Sequence, residues 1–170
     1  MNGSSFTIRR LGPPDVEAFR SIRLEGLQNA PESFGSTFEK ESSAPEQYFV
    51  DRLTRSAVFG GFAGDRLVGV AGFYSFEDTK SKHKGVLWGM YVTPEARGSG
   101  LATALVETLL EQAGKEVEQI QLTVVASNPR AKRFYQRMGF VEYGLEEKAL
   151  KYKGEYFDEF LMVKFLRPNE

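Results

Sequence analysis

The chain has 170 residues, which fits a single domain spanning residues 1–170, and its hydrophobic content of 41% is enough for a core. Its 22 lysine and arginine residues nearly balance 23 acidic residues, so net charge favours neither a nucleic acid nor a membrane as a partner. The lack of cysteine and the single histidine, His83, exclude disulfides, a thiolate nucleophile and a cysteine- or histidine-rich metal site, and we expect no metal.

The N-terminal part of the chain predicts a strand followed by a helix. The segment "MNGSSFTIRR" has no apolar stretch of signal-peptide length, and no run approaches the roughly 18 apolar residues of a membrane span, so we expect a cytoplasmic protein. The alternation in "SFTIRRL" (5–11) predicts a short strand, which Gly12 and two prolines end. "DVEAFRSIRLEGLQNA" (15–30) predicts a helix with Asp15 as its cap.

The middle of the chain predicts one further helix and three strands. Residues 31–56 are typical of a loop followed by a short helix from about Pro45. "AVFGGFA" and "RLVGVAGFYSF" predict a hairpin that turns at Gly64 and Asp65. A polar loop, in which we expect His83 to be exposed, leads to the strand "GVLWGMYV" (85–92).

The C-terminal half predicts a helix over 98–114, a buried strand over 119–126, a helix over 128–139, and two strands within 140–166 around a turn near Gly154. The element order is therefore β-α-α-β-β-β-α-β-α-β-β. This order predicts an α/β fold in which helices cover a mixed sheet, with a parallel strand–helix–strand unit in its middle.

The helix over 128–139 has clear signals at both ends. Asn128 is a favoured cap, and Pro129 suits the first helical position because its missing N–H is not needed there. Gly139 suits the C-terminal end.

The stretch "YVTPEARGSGLATALVETLLEQA" (91–113) predicts a strand end, a flexible turn and a helix start in close succession. Gly98 and Gly100 let the backbone approach a ligand, and the unpaired N–H groups at the start of the helix favour phosphate. Two phosphate-loop patterns fail. Leu101 occupies the lysine position of a Walker loop, and Thr103 occupies the last glycine position of a dinucleotide fingerprint.

A third pattern fits. "RGSGLA" (97–102) matches the Q/R-x-x-G-x-G/A signature of the GCN5-related N-acetyltransferase (GNAT) superfamily, which the chain resembles. "NPRAKRFYQRMGFVEYG" (128–144) is similar to a second family segment at the family's usual separation, and the element order agrees over nearly the whole chain. The resemblance implies a mixed α+β GNAT fold: a mostly antiparallel twisted sheet, splayed between its fourth and fifth strands and flanked by about four helices.

The resemblance also implies acetyl-CoA as co-substrate. Main-chain N–H groups of the glycine turn would bind its pyrophosphate, with help from Arg97, and Met90, Val92 and Asn128 would bind the pantetheine arm. The 3′-phosphate would be met by Arg130, Lys132 or Arg133. The residues implied for binding are Met90, Val92, Arg97, Gly98, Ser99, Gly100, Leu101, Ala102, Asn128, Arg130 and Arg133.

Two residues would be catalytic. The N–H of Met90 would polarise the thioester carbonyl, and Tyr135 would act as general acid toward the departing thiolate. A primary amine of a small molecule, an amino acid or a peptide N-terminus would attack directly, through a tetrahedral intermediate. The spacing of Tyr135 with Phe134 and Met138 is also typical of plain core packing.

The general base is open. The strand 85–92 contains no carboxylate, unlike that of many relatives, so the base is a water chain or Glu25, Asp158 or Glu159. The resemblance places the acceptor between the first two helices, their loop and the last hairpin. The aromatic and acidic side chains there suit a cationic amine or simply solubility and strand packing. These side chains are Glu32, Phe34, Phe38, Glu39, Tyr152, Tyr156, Asp158 and Glu159.

Three alternatives remain open. The glycine turn could be only structural, the chain could be a non-catalytic acyl-CoA sensor or interaction module, or it could be a nucleotide-binding protein of another fold. Many relatives dimerise, so a homodimer is also considered.

Overall fold

A computed structural model describes residues 5–166, so the two ends of the predicted domain, at residues 1 and 170, lie outside the described residues. The helices are α1 (Val16–Asn29), α2 (Phe38–Ser42), α3 (Glu46–Arg55), α4 (Leu101–Ala113) and α5 (Pro129–Arg137). The strands are β1 (Thr7–Arg10), β2 (Ala57–Ala63), β3 (Arg66–Ser75), β4 (Lys84–Val92), β5 (Gln119–Val125), β6 (Val141–Tyr152) and β7 (Glu155–Phe165).

The strands form one seven-stranded sheet in the order β1-β2-β3-β4-β5-β7-β6. Only β4 and β5 pair in parallel, because α4 carries the chain back between them, whereas the other neighbours are antiparallel. The pairing of β4 with β5 runs only from Lys84 with Gln119 to Val86 with Gln121. Beyond Val86 the two strands diverge, which confirms the predicted mixed sheet with splayed fourth and fifth strands.

Strand β4 contains a bulge at the start of this divergence. Trp88 pairs with Gly72 and Tyr91 with Val70, so two residues of β4, Gly89 and Met90, oppose one residue of β3. Gly89 has a φ of 67°, which glycine adopts without strain. Because a bulge leaves one residue outside the ladder, main-chain groups here become available to a ligand.

The structure corrects the predicted helices in two places. Residues 38–42 form α2, where a loop was predicted, because Thr37 Oγ1 accepts a hydrogen bond from Lys40 N at 3.2 Å and caps the turn. Residues 5–166 therefore contain five α-helices instead of the expected four or so. Helix α4 begins at Leu101 rather than at residue 98, because Gly98 and Gly100 have φ angles of 74° and 87° that an α-helix does not allow.

Asp15 lies at the start of α1 but its side chain does not cap that helix. The carboxylate accepts a hydrogen bond from Gly12 N at 2.9 Å and pairs with Arg9 at 2.8 Å. Both interactions hold the pKa of Asp15 below its ordinary value, the hydrogen bond from Arg9 being the larger cause. The cap prediction was therefore wrong, since Asp15 closes the short 3-10 turn before the helix.

The core lies on both faces of the sheet. Helices α1 and α3 cover one face, where Phe19 and Phe49 are fully buried. Helix α4 covers the other face and lies very close to the strands. A Cβ on Gly61 would stand 2.6 Å from Leu101, and one on Gly69 would stand 2.8 Å from Leu105. These two glycines thus bring the N-terminus of α4 against the sheet, next to the end of β4.

Candidate active site

The turn before α4 presents main-chain N–H groups to open space. A side chain added at Gly98 or Gly100 would meet no atom within 4 Å, so a ligand has room to approach both. The first hydrogen bond of the helix runs from Ala104 N to Gly100 O at 3.1 Å. The amide groups of residues 101–103 therefore have no partner inside the helix, although Leu101 N lies 3.4 Å from Ser99 Oγ. This arrangement suits a phosphate group.

Side chains of the turn fix its shape. Arg97 Nε donates a hydrogen bond to the carbonyl of Val92 at 3.3 Å, and its guanidinium lies 5.9 Å from the ring centre of Tyr91. The Ser99 hydroxyl donates to the carbonyl of Ala96. The geometry therefore supports a role of Arg97 in holding the loop, while its charge stays close enough to the turn to assist an anion.

A cavity of about 650 Å³ extends from this turn along the gap between β4 and β5. Ser99 and Arg133 do not line it, so their binding roles remain predictions from the sequence. Tyr91 and Arg137 line it as well and were not predicted, whereas Phe34, which also lines it, was expected at the acceptor groove. The predicted residues that line it are Met90, Val92, Arg97, Gly98, Gly100, Leu101, Ala102, Asn128, Arg130 and Tyr135.

Asn128 is the predicted cap of α5. Its Oδ1 accepts a hydrogen bond from Ala131 N at 3.1 Å, which confirms the cap. The carboxamide nitrogen is not needed for this bond and remains a donor at the cavity wall. One side chain can thus serve the helix and a ligand at the same time.

Three basic residues were candidates for the 3′-phosphate. Lys132 Nζ pairs with Glu142 at 2.7 Å and lies 3.6 Å from the ring centre of Phe160, so its charge is already engaged. Arg133 is exposed and does not line the cavity. Arg130 lines the cavity, and Arg137 does so two turns further along α5. Position therefore favours Arg130 among the three candidates.

Tyr135 belongs both to the core and to the cavity wall. It is 8% exposed, and its ring packs edge-on against Phe134 and Phe140 at 5.2 and 5.7 Å. Burial raises the pKa of its hydroxyl, so the group stays protonated at neutral pH. A buried hydroxyl beside the cavity is able to donate a hydrogen bond to a ligand atom there.

A second cavity, of about 820 Å³, lies on the α1–α3 side of the same gap. It is lined by the loop before α2, by α3, by the start of β4 and by β5, β6 and β7. Ser33, Phe34 and Thr123 line both cavities, so the two spaces meet at these residues. Of the aromatic and acidic side chains expected at the acceptor groove, Phe34 and Glu159 line this cavity.

The structure separates the three carboxylates considered as general base. Glu25 accepts a hydrogen bond from the Tyr91 hydroxyl at 2.8 Å, and the carboxylate of Asp158 accepts one from Lys148 N at 2.7 Å. Neither lines a cavity. Glu159 lines the second cavity beside Thr123. Burial and the nearby charge of Glu146 raise the pKa of Glu159, with partial offset from the Thr123 hydroxyl.

Several side chains at the second cavity were missed from the sequence. Tyr48, Arg52 and Arg55 recur at i, i+4 and i+7 on α3 and line the cavity together. This spacing was visible in the sequence, but only the packed helix reveals which face meets the cavity. Trp88 joins them from β4, and the glycine that follows it was a local signal for the bulge.

Among residues 5–166, no group of three or more histidine, cysteine, aspartate or glutamate side chains is placed to hold a metal ion. Within the same residues, no helix has both the length and the apolar character needed to cross a membrane.

Comparison with known proteins gives consistent matches. Residues 24–140 match the model of the acetyltransferase (GNAT) family. The chain is 24% identical to the L-amino acid N-acetyltransferase AaaT of Escherichia coli (strain K12), over 95% of this chain and 98% of that protein. Among solved structures it is similar to smu.2055 of Streptococcus mutans UA159, with a TM-score of 0.84 at 19% identity, over 95% of this chain and 99% of that one. It is also similar to yncA of Salmonella typhimurium, a putative acetyltransferase solved with its cofactor acetyl-CoA. That match has a TM-score of 0.83 at 17% identity, over 98% of this chain and 97% of that one.

Proposed function

The chain belongs to the acetyltransferase (GNAT) family, and we propose that it is a single-domain N-acetyltransferase that moves the acetyl group of acetyl-CoA to a primary amine. The proposal rests on one observation: two cavities meet where β4 and β5 diverge. One cavity begins at a turn suited to phosphate, and the other contains a half-buried carboxylate. A donor and an acceptor bound on the two sides would bring their reacting groups together near Thr123.

The residues of the first cavity fit acetyl-CoA. The open positions beside Gly98 and Gly100 leave room for a pyrophosphate against the N-terminus of α4. The carboxamide nitrogen of Asn128 and the main chain of Met90 and Val92 would bind the pantetheine arm. Arg130 is the first choice for the 3′-phosphate. Ser99 and Arg133 remain in the proposal on the family pattern alone.

Three groups of this chain would serve the chemistry. Acetyl-CoA supplies an activated thioester. Met90 N–H, next to the bulge at Gly89, would donate to the carbonyl oxygen as negative charge develops on it in the tetrahedral intermediate. Tyr135 would donate its proton, or a hydrogen bond, to the departing sulfur. No protein nucleophile is needed for direct attack by the amine.

Glu159 would take a proton from the acceptor. An alkylammonium group with a pKa of about 10.4 is mostly charged at neutral pH and cannot attack, so a base beside the amine is required. Glu159 lines the acceptor cavity, and its raised pKa makes it a better base than an exposed glutamate. The protein thereby supplies from β7 the carboxylate that β4 lacks.

The acceptor is a small amine rather than a large chain in this proposal. The second cavity, at about 820 Å³, has the volume of a small-molecule site. The similarity to a protein named as an L-amino acid N-acetyltransferase adds support for an amino acid.

Assembly and location are also proposed rather than established. Val141, Tyr143 and Leu145 lie on the edge strand β6 and are 56%, 52% and 48% exposed, but a bulge between Glu142 and Gly144 puts Val141 and Leu145 on opposite faces. The homodimer is therefore proposed on the family resemblance alone. The cytoplasmic location remains a prediction from the sequence.

The deciding experiment has two stages. Calorimetric titration of the purified protein with acetyl-CoA, CoA, ATP and NAD should give saturable binding of acetyl-CoA and CoA alone. A screen of primary amines with acetyl-CoA, read by release of free thiol, should then find turnover. A folded protein that binds acetyl-CoA but acetylates no amine would leave a binding module, and one that does not bind acetyl-CoA would refute the proposal.

A further inference from the structure

The acceptor cavity carries more positive than negative charge on its walls. Arginine and lysine outnumber the acidic residues there, although the chain as a whole has a net charge of −1. The cationic side chains that line the cavity are Arg23, Lys40, Arg52 and Arg55, and the carboxylates are Asp51 and Glu159. This excess of positive charge would not favour the binding of an acceptor whose only charged group is a cationic amine.

One of these cations is already neutralised. Arg23 Nε and Nη2 donate to the two oxygens of Glu41 at 3.1 and 3.0 Å, and the two side chains are 6% and 0% exposed. Burial would raise the pKa of Glu41. The hydrogen bonds of Arg23, with the charges of Arg23 and Arg52, hold it below its ordinary value. The carboxylate of Glu41 thus lies close enough to both Arg23 and Arg52 to interact with their charges. Both of its oxygens accept hydrogen bonds from Arg23, and Arg52 interacts with it through charge alone.

Arg52 is fixed in place without an acidic partner. Its guanidinium carbon lies 4.8 Å from the ring centre of Tyr48 and 5.0 Å from that of Trp88, and its Nη2 donates to the Tyr48 hydroxyl at 2.6 Å. Within residues 5–166, Arg52 takes part in no ion pair. Trp88 in turn packs against β3, where a Cβ on Gly72 would stand 3.0 Å from the indole. A guanidinium held on aromatic rings keeps its other donors oriented for a planar anion.

We propose that the acceptor carries a carboxylate in addition to its amine, and that Arg52 binds this carboxylate, with Arg55 adding charge at the rim. The inference rests on the proposed function and names its substrate class as free amino acids. Glu159, from β7, faces the ammonium group beside Thr123, where the two cavities meet. A peptide N-terminus fits less well, because its α-carboxylate has become an amide and leaves Arg52 without an anion.

The test compares free L-amino acids with their α-amides as acceptors. The ratio of kcat/KM for the acid to that for the amide should be roughly ten- to a hundredfold lower in Arg52→Ala than in the wild type, chiefly through a higher KM for the acids, as expected for the loss of a hydrogen-bonded charge pair. The amine of an amide has a lower pKa than the amine of the free acid, but this difference is the same in both variants and cancels when their ratios are compared.

Matched variants show whether the change in ratio in Arg52→Ala comes from the lost contact with the carboxylate, from unfolding, or from the loss of one positive charge anywhere in the protein. Arg10→Ala removes an arginine that is exposed on β1 and lines neither cavity, and it should keep the wild-type ratio. Arg52→Lys keeps the positive charge but lacks the paired N–H donors of the guanidinium. Its ratio of acid to amide should therefore lie between those of the wild type and Arg52→Ala. Titration of Arg52→Ala with acetyl-CoA reports whether the cofactor side is still folded.

The outcomes distinguish the two proposals. An unchanged ratio of acid to amide in Arg52→Ala overturns the role of Arg52. If the wild type binds acetyl-CoA but acetylates nothing, the proposed function fails. The substrate class is then judged by titrating the CoA-loaded protein with free L-amino acids and their amides. Tighter binding of the acids that is lost in Arg52→Ala would sustain the inference, and equal binding would reject it.

Discussion

The hydroxyl of Tyr91 donates a hydrogen bond to Glu25 at 2.8 Å and accepts one from Asn29 at 3.2 Å, which ties β4 to α1 beside the first cavity. Burial and the Glu25 carboxylate raise the pKa of Tyr91, so the hydroxyl remains a donor at neutral pH. Glu25 is thus a structural partner of Tyr91. Tyr91→Phe should lower the free energy of unfolding by about 1 kcal/mol, measured by urea denaturation.

Tyr156→Phe is the matched control for that prediction. Tyr156 is 54% exposed, and in the described part of the chain its hydroxyl makes no side-chain hydrogen bond, so its removal should leave stability within about 0.5 kcal/mol. Equal effects of the two substitutions would show that the contact between Tyr91 and Glu25 adds nothing to stability.

The proposed binding of phosphate at the turn of residues 98–100 is tested by placing a negative charge at Gly100. Gly100→Asp should abolish detectable binding of acetyl-CoA in a calorimetric titration, because it places a carboxylate in the open space beside the turn. Gly64→Asp is the matched control. Gly64 also has a positive φ, 60°, and open space around it, but it lies in the hairpin turn between β2 and β3, outside both cavities. Unchanged affinity in Gly100→Asp would remove the phosphate assignment.

The two roles of Asn128 can be separated. Asn128→Ser keeps an oxygen for Ala131 N but loses the carboxamide donor, so acetyl-CoA affinity should fall several-fold while stability changes little. Asn128→Ala should show the same loss of affinity and a further loss of about 1 kcal/mol in unfolding free energy. If Asn128→Ser binds acetyl-CoA like the wild type, the residue is only a helix cap.

Tyr135 distinguishes an enzyme from a sensor. Tyr135→Phe removes a buried hydroxyl but keeps the ring contacts with Phe134 and Phe140, so acetyl-CoA binding should persist. Turnover should fall by about a hundredfold or more, as expected for a general acid. Binding and turnover that are both unchanged would place Tyr135 in the core alone. Tyr156→Phe again serves as the control.

Glu159 should set the acidic limb of the pH profile. Because burial raises its pKa above the ordinary 4.5, kcat/KM should rise with pH through a midpoint above that value, as the carboxylate forms. Glu159→Gln should lower kcat and abolish this limb. A wild-type limb that persists in Glu159→Gln would assign the base elsewhere.

The raised pKa of Glu159 also predicts how the stability of the protein changes with pH. A carboxyl group whose pKa is raised by folding stabilises the native state when protonated, and that contribution is lost as pH rises through the folded pKa. At neutral pH the charged Glu159 is therefore unfavourable beside Glu146. Glu159→Gln should be at least as stable as the wild type near pH 7 by thermal unfolding, while it is less active. A marked destabilisation would mean that the carboxylate has a structural partner.

Local patterns were enough for most of the fold. The turn at Gly64, the cap at Asn128 and the parallel unit around α4 were predicted from spacing and are confirmed. Local reasoning failed at Asp15, because the competing contacts come from Gly12 and from Arg9 on β1. It also failed at α2, whose five residues are too few to produce a recognisable period.

The sequence by itself therefore determined what depends on neighbours along the chain: glycines that permit a left-handed turn, the helix start that follows them, and the family segment around Tyr135. Only the tertiary structure decided which carboxylate lines the second cavity and that Arg52, within residues 5–166, is held on aromatic rings without an ion pair. Glu159 and Arg52 are more than a hundred positions apart in the sequence, and their surroundings are set by the packing of α3 and β7 around the splayed strands. Burial, and with it the raised pKa of Glu159 and the pairing of Arg23 with Glu41, exists only once those elements have met.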